Sequence, residues 1–176
     1  MDWLAADEKL VSRMVEQGAA YLSGQVRLAT AADQRASMLA GVFAAAGTVI
    51  LAGIITLATS ADFDIGRAYP LVLAAIGMVA CFLAGAALCI WTIVPVGIWL
   101  PGNEPQSWYG DIESKKVLLA ALGEEAEHIQ SKIVENRSII RANAGRFRWG
   151  AILGIVAPIV GAVLWVISSL FSWACL

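Results

Sequence analysis

The sequence predicts an all-α integral membrane protein, with three transmembrane helices and a cytoplasmic helical bundle formed by an N-terminal and a middle amphipathic helix. Three observations carry this expectation. The chain is 59% hydrophobic and 15% charged over 176 residues, well above the roughly 45–50% apolar usage of soluble domains. Its mean hydropathy is +0.73. Its apolar residues gather into three runs, each long enough for the roughly 20 helical residues that cross a bilayer core, while the charges collect outside them.

Residues 1–36 form the first element, a cytoplasmic helix. Leu4, Val11, Val15, Leu22, Val26 and Ala29 recur at spacings of seven, four, seven, four and three, a narrow apolar stripe on a helix that runs straight into the first span. The N-terminus, MDWLAADEKL, is acidic and lacks the apolar core of a cleavable signal. The first span is therefore expected to direct insertion itself. That span, 37–58, reads SMLAGVFAAAGTVILAGIITLA and holds no charge. Ser37, Thr48 and Thr56 are its only hydroxyls, too few to predict a wet pore lining.

The second span, 69–97, is again uncharged and meets Pro95 in the interfacial stretch PVGIWLPG. Residues 98–148 supply a loop, PGNEPQSWYG, whose Pro and Gly residues break structure, then a long helix from about Asp111 to Phe147. Leu118, Leu122, Ala126, Ile129, Ile133 and Ile140 form the stripe of that helix. The third span, 149–171, carries Gly150 and Gly154 as a Gly-x-x-x-Gly pair, with Gly161 further along and Pro158 expected to kink it. Gly77, Ala80, Ala84 and Ala87 give the second span similar small-residue spacings, suited to close packing within the chain or between subunits. The two cytoplasmic stripes are likewise expected to bury against each other or against copies in other subunits. Trp91, Trp99, Trp149 and Trp173 stand near span ends, where indoles favour the headgroup level.

Basic residues set the orientation. Of 12 Lys and Arg, Lys9, Arg13, Arg27 and Arg35 precede the first span, and Lys115, Lys116, Lys132, Arg137, Arg141, Arg146 and Arg148 lie between the second and third. Only Arg67, beside Asp62 and Asp64, falls in the short loop between spans one and two. The N-terminus and middle region are thus expected in the cytoplasm, and the C-terminal tail outside.

Several function classes lack their chemistry. A net charge of −2 gives no global basic field for nucleic acid. Glu125 and His128 have the Glu-x-x-His spacing of bundle metal sites, but such sites need two such motifs, and this is the single His; a solvated helix face is expected. Cys81, Cys89 and Cys175 match no zinc or redox spacing. There is no Gly-rich phosphate loop and no nucleophile elbow, and His128 is not expected to form a nucleophile–base pair. No catalytic residue, metal or cofactor is expected, and no enzyme activity.

The remaining chemistry lies at the membrane entrance. Asp33 and Arg35 precede the first span and, two residues apart, point to different sides of a helix, so their partners must come from elsewhere. Candidates stand on the returning helix, where Arg137, Arg141 and Arg148 recur at spacings of four and seven, with Arg146 beside them. Two arrangements are open. Asp33 pairs with one arginine at the headgroup boundary while the others contact anionic lipid, or the arginines with Asn136 or Asn143 leave an anion pocket suited to bidentate phosphate binding.

ATAADQRASMLAG leading into a span, then a second span, then ENRSIIRANAGRFRWGAIL feeding a third, resembles the transmembrane effectors of the Pycsar antiphage systems. Related two- to four-span effectors of nucleotide-based bacterial defence are arranged similarly. The likeness runs from about Tyr21 to Leu170. That family usually carries Asp-x-Lys-Ala before its span; here Asp33, Arg35 and Ala36 match, with Arg in place of Lys. The resemblance implies a multi-pass effector of the bacterial inner membrane, triggered by a cyclic pyrimidine mononucleotide from a partner cyclase, that impairs membrane integrity; the apolar stripes and small-residue faces add the expectation of a homo-oligomer. Asp33, Arg35, Asn136, Arg137, Arg141, Asn143 and Arg146 are then the candidate ligand-binding or gating residues. The alternative class is a constitutive homo-oligomeric scaffold or small channel subunit with no nucleotide ligand.

Overall fold

Four α-helices account for most of the described residues: α1 (Glu8–Ala58), α2 (Ile65–Ile93), α3 (Tyr109–Glu113) and α4 (Leu118–Ala174). The computed structural model describes the backbone of residues 3–60, 64–95 and 97–174, with all of their side chains except those of 65–67 and 172–174. Asp62 and Cys175 lie outside the described residues, as do the side chains of Arg67 and Trp173. No strand occurs among the described residues, and three helices are long and apolar enough to cross a membrane, Glu8–Ala58, Ala68–Ile93 and Leu118–Phe171. The protein is an all-helical membrane protein.

Local chemistry sets the helix ends. Asp7 Oδ1 accepts the backbone N–H of Lys9 at 2.8 Å and of Leu10 at 3.2 Å, capping the orphan amides of α1. The N-terminal helix and first span are one uninterrupted helix of 51 residues. Its end is closed by the Thr59 and Ser60 hydroxyls, which donate to the Ile55 and Leu57 carbonyls. Helix α2 starts at Ile65 and stops at Ile93, earlier at both ends than the hydropathy run, because Pro95 disfavours helical backbone at Val94. The long helix begins at Leu118, not near Asp111. Residues 109–113 form the separate α3, and Lys115, at φ 51°, breaks the path between them. Helix α4 continues through Pro158, whose ring removes the N–H that would bond the Gly154 carbonyl.

The chain divides into two compact units, residues 1–32 with 95–142 and residues 33–94 with 143–176. In the first unit Leu22, Ile129 and Ile133 are buried together with Val15 packed against them. A Cβ on Gly18 would meet the Ile129 side chain at 2.7 Å, so α1 and α4 approach closely there. The two stripes read from the sequence thus meet within the chain. Their outer members, Leu4 and Leu118, remain exposed.

In the second unit Ala36, Ala40, Phe43, Phe82, Ala86, Cys89 and Ala157 form the core, drawn from α1, α2 and α4. The Phe43 and Phe82 rings lie 5.8 Å apart, tilted by 38°, within the favourable range for aromatic pairs. A Cβ on Gly85 would meet the Gly150 carbonyl oxygen at 2.9 Å, and one on Gly150 would meet the Gly85 oxygen at 2.9 Å. Gly154 lies against the Phe43 ring. The Gly-x-x-x-Gly pair therefore serves packing inside the chain, while Ala80, Ala84 and Ala87 are exposed. Thr48 and Thr56 donate to the carbonyls of Ala44 and Ala52 on their own helix, the usual way to satisfy a hydroxyl in lipid.

Candidate ligand-binding and gating residues

Within the second unit, Asn143 and Arg146 are engaged at the end of α2. Asn143 Nδ2 donates to the Thr92 carbonyl at 3.3 Å, and Arg146 Nη1 donates to Asn143 Oδ1 at 2.8 Å. The Arg146 guanidinium stands 5.2 Å from the Trp91 ring centre. Three effects converge there. An orphan carbonyl of the last turn gains a donor, a cation sits at the negative end of a helix dipole, and that cation lies over the best aromatic partner. Asp33 is half-buried and Arg35 exposed. Among the described residues the Asp33 carboxylate makes no ion pair or hydrogen bond within its own unit. Ala36, which completes the span-leading motif, is 1% exposed in the core; a larger side chain would have no room there.

Within the first unit, Asn136 is fully buried and clamps both backbone groups of one residue in the loop that follows α2. Its Oδ1 accepts the Trp99 N–H at 2.9 Å, and its Nδ2 donates to the Trp99 carbonyl at 3.0 Å. Both polar atoms of the side chain are spent on backbone. The Trp99 indole N–H donates to Glu135. Arg137 and Arg141 are exposed and, among the described residues, form no ion pair or side-chain hydrogen bond within the unit. Of the seven candidates, Asn136, Asn143 and Arg146 are thus held by neighbours, whereas among the described residues Asp33, Arg35, Arg137 and Arg141 form no ion pair within their own units.

A second polar network ties the same loop to α4. Lys132 Nζ donates to Asn103 Oδ1 at 2.6 Å, and Asn103 Nδ2 donates to Glu125. Further out, Lys116 pairs with Asp111 at 3.2 Å and with Glu124. The Glu124 hydrogen bond, with help from Asp111, holds the Lys116 ammonium above the ordinary lysine range. His128 is exposed and lines a polar cleft with Glu124, Glu125 and Asp111. Among the described residues no three His, Cys, Asp or Glu side chains converge as metal ligands.

Comparison with known proteins decides the lineage. Residues 22–172 match the family described as PycTM, Pycsar effector protein domain. The chain belongs to the Pycsar effector family. No curated protein and no solved structure matches it. Membership makes the protein a membrane-embedded effector of antiphage defence, in a system that includes a cyclase partner.

In this effector, sequence reasoning missed the network of Asn103, Glu125 and Lys132. One signal was available. Lys132 and Asn136 continue the stripe of Ile129 and Ile133 at helical spacing, and polar residues on an apolar face point to buried hydrogen bonding. The partner, Asn103, sits 29 residues away in an irregular loop that no periodicity locates.

Proposed function

We propose that the protein is a ligand-gated, non-enzymatic effector of the bacterial inner membrane: its cytoplasmic helices sense a cyclic mononucleotide, and its spans assemble as a homo-oligomer or open to breach the membrane. Family membership supports the effector role. The observation that supports the sensing step is that, among the described residues, each unit carries charges with no ion pair inside it, Arg137 and Arg141 in the first unit and Asp33 and Arg35 in the second, while Asn136, Asn143 and Arg146 are engaged within their own units. Charges left without protein partners near a bilayer respond to an arriving anion, and a ligand shifts a gating equilibrium by its differential affinity for the two states. The lysine and arginine asymmetry supports a cytoplasmic N-terminus and cytoplasmic residues 98–148, the side on which a cyclase product would arrive.

Ion flux from liposomes carrying the full chain tests this reading, with and without 3′,5′-cyclic CMP and 3′,5′-cyclic UMP. Wild type should conduct only with nucleotide. Asp33→Asn should leak without it, and Arg141→Ala should stay silent with it, provided both insert and accumulate normally. Equal flux from all three proteins in every condition returns these charges to interfacial anchors and favours the constitutive scaffold.

A further inference from the structure

Lys132 is a charge in an apolar position. It stands on α4 between the buried Ile129 and Ile133, and is itself 8% exposed. An ammonium taken from water demands a counter-charge and partners for three N–H bonds. Among the described residues Lys132 has one side-chain hydrogen-bond partner, the neutral Asn103 amide at 2.6 Å, and that amide in turn donates to the Glu125 carboxylate. Among the described residues no carboxylate forms an ion pair with it. The side chain instead lines an open cavity of about 550 Å³, bordered by the exposed Trp99, Leu100, Pro101 and Glu104 and the half-buried Asn103. That volume is within the range of small-molecule sites.

The walls are preset. Asn136 holds both backbone groups of Trp99, and Glu135 holds its indole N–H, so the ordering cost of one side of the cavity is already met. A cation, an aromatic wall and a carboxylate line one space. They fit a ligand with an anionic group at one end and a flat ring bearing N–H donors at the other. We propose that this cavity seats a mononucleotide, its phosphate taking the Lys132 ammonium from Asn103, its base against Trp99 and its N–H edge on Glu104. This rests on the ligand-sensing reading above and names its seat, leaving Asp33 and Arg141 to gating. Displacing Asn103 from Lys132 breaks one of the links between loop and α4 and leaves those of Trp99 and Glu125 in place, a local change that the ligand itself creates.

Calorimetric titration of the full chain in nanodiscs tests the seat, with cyclic CMP, cyclic UMP, cyclic AMP and inorganic phosphate as probes. At least one cyclic nucleotide should bind wild type. Lys132→Gln, which keeps a donor for Asn103, should weaken that binding roughly tenfold or more, and Lys132→Arg should stay within about threefold. Glu104→Gln changes an exposed side chain, so it leaves the fold alone; it should weaken the nucleotide about threefold and leave phosphate unaffected. Nucleotide binding that survives both Lys132→Gln and Glu104→Gln, with Arg141→Ala still silencing flux, overturns the seat and leaves sensing standing. Absence of nucleotide binding to wild type overturns both.

Discussion

The same two helices, α1 and α4, run through both units, yet they are held together by different means. In the unit of residues 33–94 and 143–176 the contacts are small residues and an aromatic pair: Gly85 against the Gly150 carbonyl, Gly154 under Phe43, Phe43 on Phe82. In the unit of residues 1–32 and 95–142 a seam of Leu22, Ile129 and Ile133 is reinforced by buried Asn136 and Lys132. The difference follows the composition of the two units, the one of residues 33–94 and 143–176 carrying the most apolar stretches of the three long helices. Lipid is as apolar as a leucine side chain, so helices in it associate through close approach and dispersion. In water apolar burial itself drives association, and it leaves room for polar clamps that fix a loop.

The largest test attacks close approach. Gly154→Leu would drive a branched side chain into the Phe43 ring, costing on the order of 3 kcal/mol where neither helix can shift. The variant should accumulate poorly or melt well below wild type in detergent, and Phe43→Ala in the same chain should recover part of the loss. Unchanged accumulation and melting would mean that the second unit tolerates looser packing than its glycines imply.

The next test removes the clamp from the other unit. Asn136→Ala strips the Trp99 N–H and C=O of their partners, an expected loss of about 1–3 kcal/mol for buried polar groups left unpaired. Hydrogen exchange should speed up at the Trp99 amide and its loop neighbours, while amides of residues 70–90 keep wild-type protection. Asn136→Asp retains the acceptor and loses the donor, so it should release the Trp99 carbonyl and keep the amide held. Equal exchange in all three proteins would show that the loop is fixed by other contacts.

The smallest effect concerns Lys116. Glu124 and Asp111 raise its folded-state pKa, so its pairing is fully present below the ordinary lysine value near 10.4 and is lost as pH rises through the higher folded value. Local exchange around residues 111–124 should therefore loosen only at strongly alkaline pH, and Lys116→Met should remove that step. This pair is solvent-screened, so its loss should leave global melting nearly unchanged.

The candidate site was partly legible before the fold was known. Asp33, Arg35, Arg137 and Arg141 stand out in the sequence because charges flanking an apolar run violate the pattern around them, and among the described residues none of them forms an ion pair within its own unit. Asn136, Asn143 and Arg146 were found by the same proximity but carry partners that sequence spacing does not reveal. Asn143 reaches Thr92 across 51 residues, and Asn136 reaches Trp99 across 37. Lys132 went unnoticed as a site residue because a single lysine on a helix normally extends its charge into water.

By itself the sequence determined the helical class, the three spans and the apolar stripes, because hydropathy and helical period are properties of a chain read in order, set by what each residue gains in lipid or water. Only the tertiary structure decided that the stripes close on each other within one chain, that Gly150 and Gly154 pack against α2 and the Phe43 ring, that Asn136 holds a loop residue, and that Lys132 faces a cavity. Each of these depends on which distant backbone arrives beside a side chain, and a hydrogen bond or a glycine contact is satisfied by geometry that no local spacing encodes.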